Sequence, residues 1–401
     1  MQSNERRPLP AAILSAAALV LGCGVLSGCE SPVAFHRPGK RSPDDPVVGL
    51  GAPAPYLSPR PGAAAKDPPA APPVAPAGGR VYAATGPGMI APNARGMPPR
   101  IYVANGRVID VVDPEAARIT GRFRVGASAS RVVPSWDLRR LWAADGAHGL
   151  LVPVGPRSGR RGRPVKVTGP AGLYFTPDGR DALVLARGPR RIDVRNPRTM
   201  RLRASVPMPC SAGHADFSAG GASLVATCPA AGALARIDLA GRRLSGTIRL
   251  PDGARPGDLR LSPSGAVFYV ADAAKGGVWL VNARAFTPLG FVPTAPGARG
   301  LAISRDARRL FVVGGGSLTA VDFRTRRVVS RWPLPAGHSV PGGVSSDGTA
   351  LWLADRAGLV YAVSTRTGRV VRKIWVGGRP TALCVHPQPG RYSLGGTGLY
   401  R

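Results

Sequence analysis

The chain has 401 residues, of which 54 are basic and 22 acidic, a formal net charge of +32; hydrophobic residues make up 44%, too many for a wholly disordered chain. Its 53 glycines and 43 prolines argue against a helical bundle, the lack of a glycine period of three excludes a collagen, and five cysteines are too few for a disulfide-built miniature scaffold. Only five of the basic residues are lysine; the arginine bias accompanies a general richness in Ala, Gly and Pro, and it gives the chain a surface attractive to polyanions.

Residues 1–28 read as a secretory signal: Arg6 and Arg7, an apolar run from Ala11 to Leu26, then Leu26-Ser27-Gly28-Cys29. That last stretch resembles the bacterial lipobox, in which cleavage leaves Cys29 at the new N-terminus to carry lipid; Cys23 is a second candidate, and an ordinary signal peptide or an uncleaved anchor are the alternatives. Lipid on Cys29 would hold the protein outside the cytoplasm, anchored to the cell membrane. Residues 29–80 form a disordered Pro/Ala-rich tether, with 13 prolines between positions 31 and 80. The folded domain is expected over 81–401.

From residue 100 a short apolar strand recurs at intervals of 40 to 44 residues. Its copies begin with Ile101-Tyr102-Val103-Ala104-Asn105 and Leu141-Trp142-Ala143-Ala144-Asp145, and end with Leu351-Trp352-Leu353-Ala354-Asp355. Three further strands follow each copy, and turns such as Pro177-Asp178-Gly179 separate them. Seven copies of four strands without helices predict an all-β fold, a seven-bladed β-propeller of four-stranded blades. The copies are written out of phase with the blades, so the strand at 381–385 is expected to pair with that at 101–104 and close the ring.

The repeat resembles the Tyr-Val-Thr-Asn (YVTN) type of propeller, with its apolar strand, its Ile-Asp strand and its Pro-Asp-Gly turn. The chain looks especially similar to bacterial envelope lipoproteins of that type, which are similar to the propeller domain of cytochrome cd1 nitrite reductase; Gly213-His214-Ala215-Asp216 and Gln388-Pro389-Gly390 add to the likeness. The resemblance implies the fold far more than a function.

Reading the innermost strands in register places Arg131, Gly172, His214, Asp258, Gly300, Pro341 and Ala382 at the channel mouth, with Arg299 one residue earlier in its repeat. His214, Asp258, Arg131 and Arg299 are the candidate ligand-binding residues. An aspartate beside an imidazole fixes its tautomer and raises its basicity; the same pair could instead be a structural hydrogen bond sealing the channel. Cys210 and Cys228 flank a hairpin and are a candidate disulfide, with two free buried thiols as the alternative. Arg157, Arg160, Arg161 and Arg163, with Lys166, form a candidate basic patch for anionic lipid or wall polymer, or simply a solvated loop. Haem-attachment, nucleotide, zinc and hydrolase signatures are missing, so no cofactor, metal or catalytic residue is expected, nor a specific nucleic acid. These observations point to a tethered envelope module that binds a protein or small molecule at a propeller face. The resemblance keeps two alternatives open, a redox or tetrapyrrole (cytochrome d1-like) associated protein and, against the scarcity of acids, a lactonase-like hydrolase.

Overall fold

The computed structural model describes residues 80–251 and 253–401; the signal segment, Cys29 and the tether up to residue 79 lie outside them. The described chain forms a seven-bladed β-propeller with four strands to a blade and three short 3-10 turns. In chain order the blades span 100–129 (blade 1, completed by Ala382–His386), 131–166, 170–207, 215–249, 256–293, 300–333 and 340–375. The recurring apolar strand is the second strand of every blade. It is buried along its whole length, as in Leu141–Asp145 and Val267–Asp272, because neighbouring blades cover both faces of each sheet; hence a continuous apolar run rather than alternation. Outermost strands such as Arg243–Arg249 are largely exposed and polar.

Ring closure follows the expected phase. Strand Arg100–Asp113 passes through Gly106 at φ 63° and serves blade 1 twice: residues 100–104 pair with Ala382–His386, the remainder with Arg118–Ala129. The polar residue ending the marker strand explains itself in the hydrogen bonds. Asp145, Asp272 and Asp355 each accept the N–H of the residue 17 positions earlier, Ser128, Arg255 and His338, at 2.8, 3.0 and 3.0 Å. Asn105 accepts that of Arg379 at 3.0 Å across the closure. Each such bond ties the loop entering a blade to the turn between its second and third strands.

Six of the outermost strands carry one extra, unopposed residue: Thr120, Arg203, Ser245, Leu289, Val329 and Val371. Such bulges twist a sheet edge and stop it accepting another strand. The sequence pattern did not reveal a final hairpin, Ser393–Gly395 with Leu399–Tyr400, which joins the inner edge of blade 3 with Gly395 opposite Tyr174. Gly395, at φ 79°, lies so close to the backbone of Leu173 that a side chain there would collide. This hairpin fills the bore. Beyond it, Arg401 donates to Asp216 at 2.8 Å and to the carbonyls of Phe217 and Ser218 at 2.7 and 2.9 Å. The segment before blade 1 covers the same end, with the Tyr82 hydroxyl donating to the Leu261 carbonyl at 3.0 Å and Ile90 bridging to Pro389 and Gly390.

Candidate functional site

At the other end the bore opens into a bowl of about 880 Å³. Its wall is made by the loops entering the blades and by the turns after their second strands; Thr397, at the tip of the final hairpin, contributes to its floor. Arg131, His214, Asp258 and Arg299 all line it, as do Gly300 and Pro341. Gly172 and Ala382 do not; Ala171 and Thr381 take their places. In blade 3 the displacement of one residue has a cause, a bulge at Ala171 that shifts the register of the inner strand.

His214 is held from both sides. Its N–H donates to Thr227 Oγ1 at 3.0 Å and its carbonyl accepts the N–H of Thr227 at 2.8 Å. Cys210 and Cys228 are joined in a disulfide with their Cα atoms 5.7 Å apart, which clamps the loop carrying His214 to the end of its neighbouring strand. The histidine side chain is 22% exposed, and its Nδ1, buried, has no hydrogen-bond partner.

The relation to Asp258 differs from the expectation. The nearest oxygen, Oδ1, stands 3.6 Å from His214 Nδ1, too far for a hydrogen bond. Asp258 is committed elsewhere: to Arg260 Nη1 at 2.6 Å, to the N–H of Leu259 at 2.9 Å and, across the blade boundary, to the N–H of Leu301 at 3.1 Å. The sequence reading overlooked Arg260, two residues along the same strand. Burial pushes the His214 imidazole down to about 4, outweighing the attraction of Asp258, with Arg131 and Arg260 adding to the depression. Its basicity is therefore lowered, not raised, and the ring is neutral at pH 7.

The chief electrostatic feature of the bowl is cationic. Besides Arg131 and Arg299, Arg187, Arg255 and Arg356 line it, so five blades each contribute an arginine. None makes an ion pair among the described residues, and Arg299 donates only to the Gly297 carbonyl, at 3.2 Å. The two carboxylates of the lining are spent: Asp258 as above, and Asp145 on the N–H groups of Ser128 and His148 and on the His148 ring, at 2.8, 3.0 and 2.8 Å. Positive charge in excess over the carboxylates of a concave site concentrates its field inward. Arg187 and Arg356 directly follow second strands, so reading only the starts of inner strands missed them; the Arg that follows the marker in these two repeats was the available signal.

The remaining candidates lie elsewhere. Arg157, Arg160, Arg161, Arg163 and Lys166 are all exposed on the connection between Leu150–Val154 and Val165–Lys166, away from the bowl. Among the described residues no group of three or more His, Cys, Asp and Glu could hold a metal, and no helix is long and apolar enough to cross a membrane.

No family model and no curated protein matches the chain. Solved structures do. A functionally unknown protein from Desulfotomaculum acetoxidans is similar at TM-score 0.61 and 16% identity, over 71% of this chain and 98% of that one. Kuenenia stuttgartiensis hydrazine synthase is similar at 0.54 and 19%, over 68% and 90%. The dihydro-heme d1 dehydrogenase NirN, in complex with DHE, is similar at 0.55 and 15%, over 73% and 75%. At these identities the likeness establishes one thing: the chain shares its propeller fold with proteins that include a dihydro-heme d1 dehydrogenase.

Proposed function

We propose that the protein is a binding module of the cell envelope whose bowl captures a small molecule bearing several carboxylate or phosphate groups. One observation carries this: five arginines from five blades line one bowl without an ion pair, against two lining carboxylates, of which Asp258 is already paired with Arg260. Guanidinium forks match carboxylate and phosphate geometry, and a neutral His214 at the base adds a hydrogen-bonding group without cancelling charge. The extracytoplasmic setting draws support from the signal-like segment ending at Cys29 and from the Cys210–Cys228 disulfide, which suits an oxidising compartment. The repeat pattern supports placing the chain among the YVTN propellers.

Calorimetric titration with citrate, pyrophosphate and inorganic phosphate tests the reading. Arg131→Met and Arg255→Met should each weaken the tightest of these by about tenfold or more, the value of one charge-assisted hydrogen bond. Equal affinity in the variants, or no binding of any polyanion at low salt, overturns it.

A second reading is tetrapyrrole binding, favoured by the neutral imidazole beside the arginines and by the likeness to a dehydrogenase solved with its ligand. The residues fit such a group: guanidiniums for its carboxylates, imidazole for a metal at its centre. A Soret band in protein purified from its native host, lost in His214→Ala, would favour it over a colourless anion.

A further inference from the structure

All seven exposed large apolar side chains among the described residues lie on outermost strands: Leu202, Leu244 and Leu289 in blades 3 to 5, Val328 and Val329 in blade 6, Val371 and Trp375 in blade 7. They thicken toward the end of the ring, and Trp375, 70% exposed, is the most exposed of them. Val329 and Val371 are the bulge residues of their strands, so the shift in register accompanies their outward exposure. Within the two edge segments that carry most of them the charge is of one sign, and the exposed acids beside Val371 and Arg372 are Glu115 and Asp347 of adjoining loops. Residues 323–333 and 365–375 hold eight Arg and Lys and no acid, all eight exposed, among them Arg326, Arg327, Arg369 and Arg372. The two edges are continuous, since a side chain at Gly368 of blade 7 would collide with the Trp332 ring of blade 6.

We propose that this outer edge of blades 6 and 7 docks the domain on an anionic lipid surface. Exposed Trp and aliphatic residues set among Arg and Lys are the composition that lies at the boundary of headgroups and acyl chains, with apolar groups entering and cations meeting phosphate. A second copy of this edge would be repelled by its own charge. The Arg157–Arg163 loop, by contrast, has no exposed large apolar side chain near it in blades 1 and 2, so it offers attraction without insertion. The proposal concerns a different face from the bowl and stands or falls separately.

The test uses the full chain and vesicles of phosphatidylcholine with or without phosphatidylglycerol. Binding should require the anionic lipid and weaken with salt. Replacing Arg369 and Arg372 with Ser should cost about fivefold each at low salt, and Val371→Ser with Trp375→Ser together roughly tenfold; these positions are exposed, and unchanged melting confirms folding. Brominated lipid should quench wild-type fluorescence more than that of Trp375→Phe, which places this one side chain in the bilayer whatever the apolar N-terminal segment does. Equal quenching in both proteins overturns the proposal. So does loss of binding only when Arg157, Arg160, Arg161 and Arg163 are replaced by Ser, or duplex DNA bound as tightly as vesicles with no effect of Trp375→Ser.

Discussion

Replacing Asp258 with Asn tests the account of the bowl's base. The change is nearly isosteric and keeps one acceptor, but it strips the counter-charge from Arg260. The pair sits with 2% and 3% of the two side chains exposed, so solvent offers little compensation. Breaking a buried ion pair from one side costs about 3–5 kcal/mol. The lower end applies here, because Arg260 keeps the carbonyls of Leu259 and Thr397 at 2.8 and 2.6 Å. At ~2 °C per kcal/mol for a large domain, Tm should fall by ~6 °C. Arg260→Met leaves the carboxylate with the N–H groups of Leu259 and Leu301 and should cost about 2 kcal/mol. The double variant removes both charges, so it should cost less than the two singles together, with a coupling of about 2 kcal/mol. Urea unfolding followed by tryptophan fluorescence reads all four proteins. A single-variant loss below ~1 kcal/mol, or strict additivity, would refute the claim that this pair holds the floor of the bowl.

Other outcomes are equally definite. Unreduced, denatured protein should titrate two fewer thiols than a reduced control, and Cys210→Ser with Cys228→Ser, opening a loop whose ends are 18 residues apart, should cost about 3 kcal/mol in urea unfolding. Burial holds His214 and His386 near 4 against 6.5 when unfolded. The unfolded chain therefore binds more protons between those values, and stability should fall as pH drops from 6.5 toward 4; His214→Asn should flatten part of that slope in urea midpoints. Deleting residues 380–401 removes the closing strand and the bore hairpin together, and calorimetry should then show no single cooperative transition; a melt like that of the intact chain would contradict the closure.

The blades were legible because each marker strand is apolar on both faces, a signal that survives any choice of surface residue. Its phase also told which distant strands must meet, since residues 100–104 lacked an inner neighbour until 382–386 supplied it. Arg131, His214 and Arg299 could be placed at the mouth from register alone. The hairpin at Ser393–Tyr400 could not, because it belongs to no repeat and is fixed by contacts with distant residues such as Tyr174 and Pro134. Nor could the partner of Asp258 be read. Proximity to His214 in the ring suggested one pairing, whereas Arg260 on the same strand offered a stronger charge at shorter range. Strand periodicity specifies which face a side chain occupies, not which of two neighbours wins it.

The closing strand has a consequence for how such a gene can change. Because the repeat boundary falls inside blade 1, with its innermost strand coming from the end of the chain, unequal recombination that adds or removes one unit of about 40 residues changes the blade count without touching the closing pair. The new ring still shuts, with the same two strands in register. What changes is the angle between blades and the width of the bore, and with it the spacing of the arginines facing one another across the bowl. Whole-unit duplication would thus reshape the bowl in whole-blade steps while leaving the seam of the ring intact.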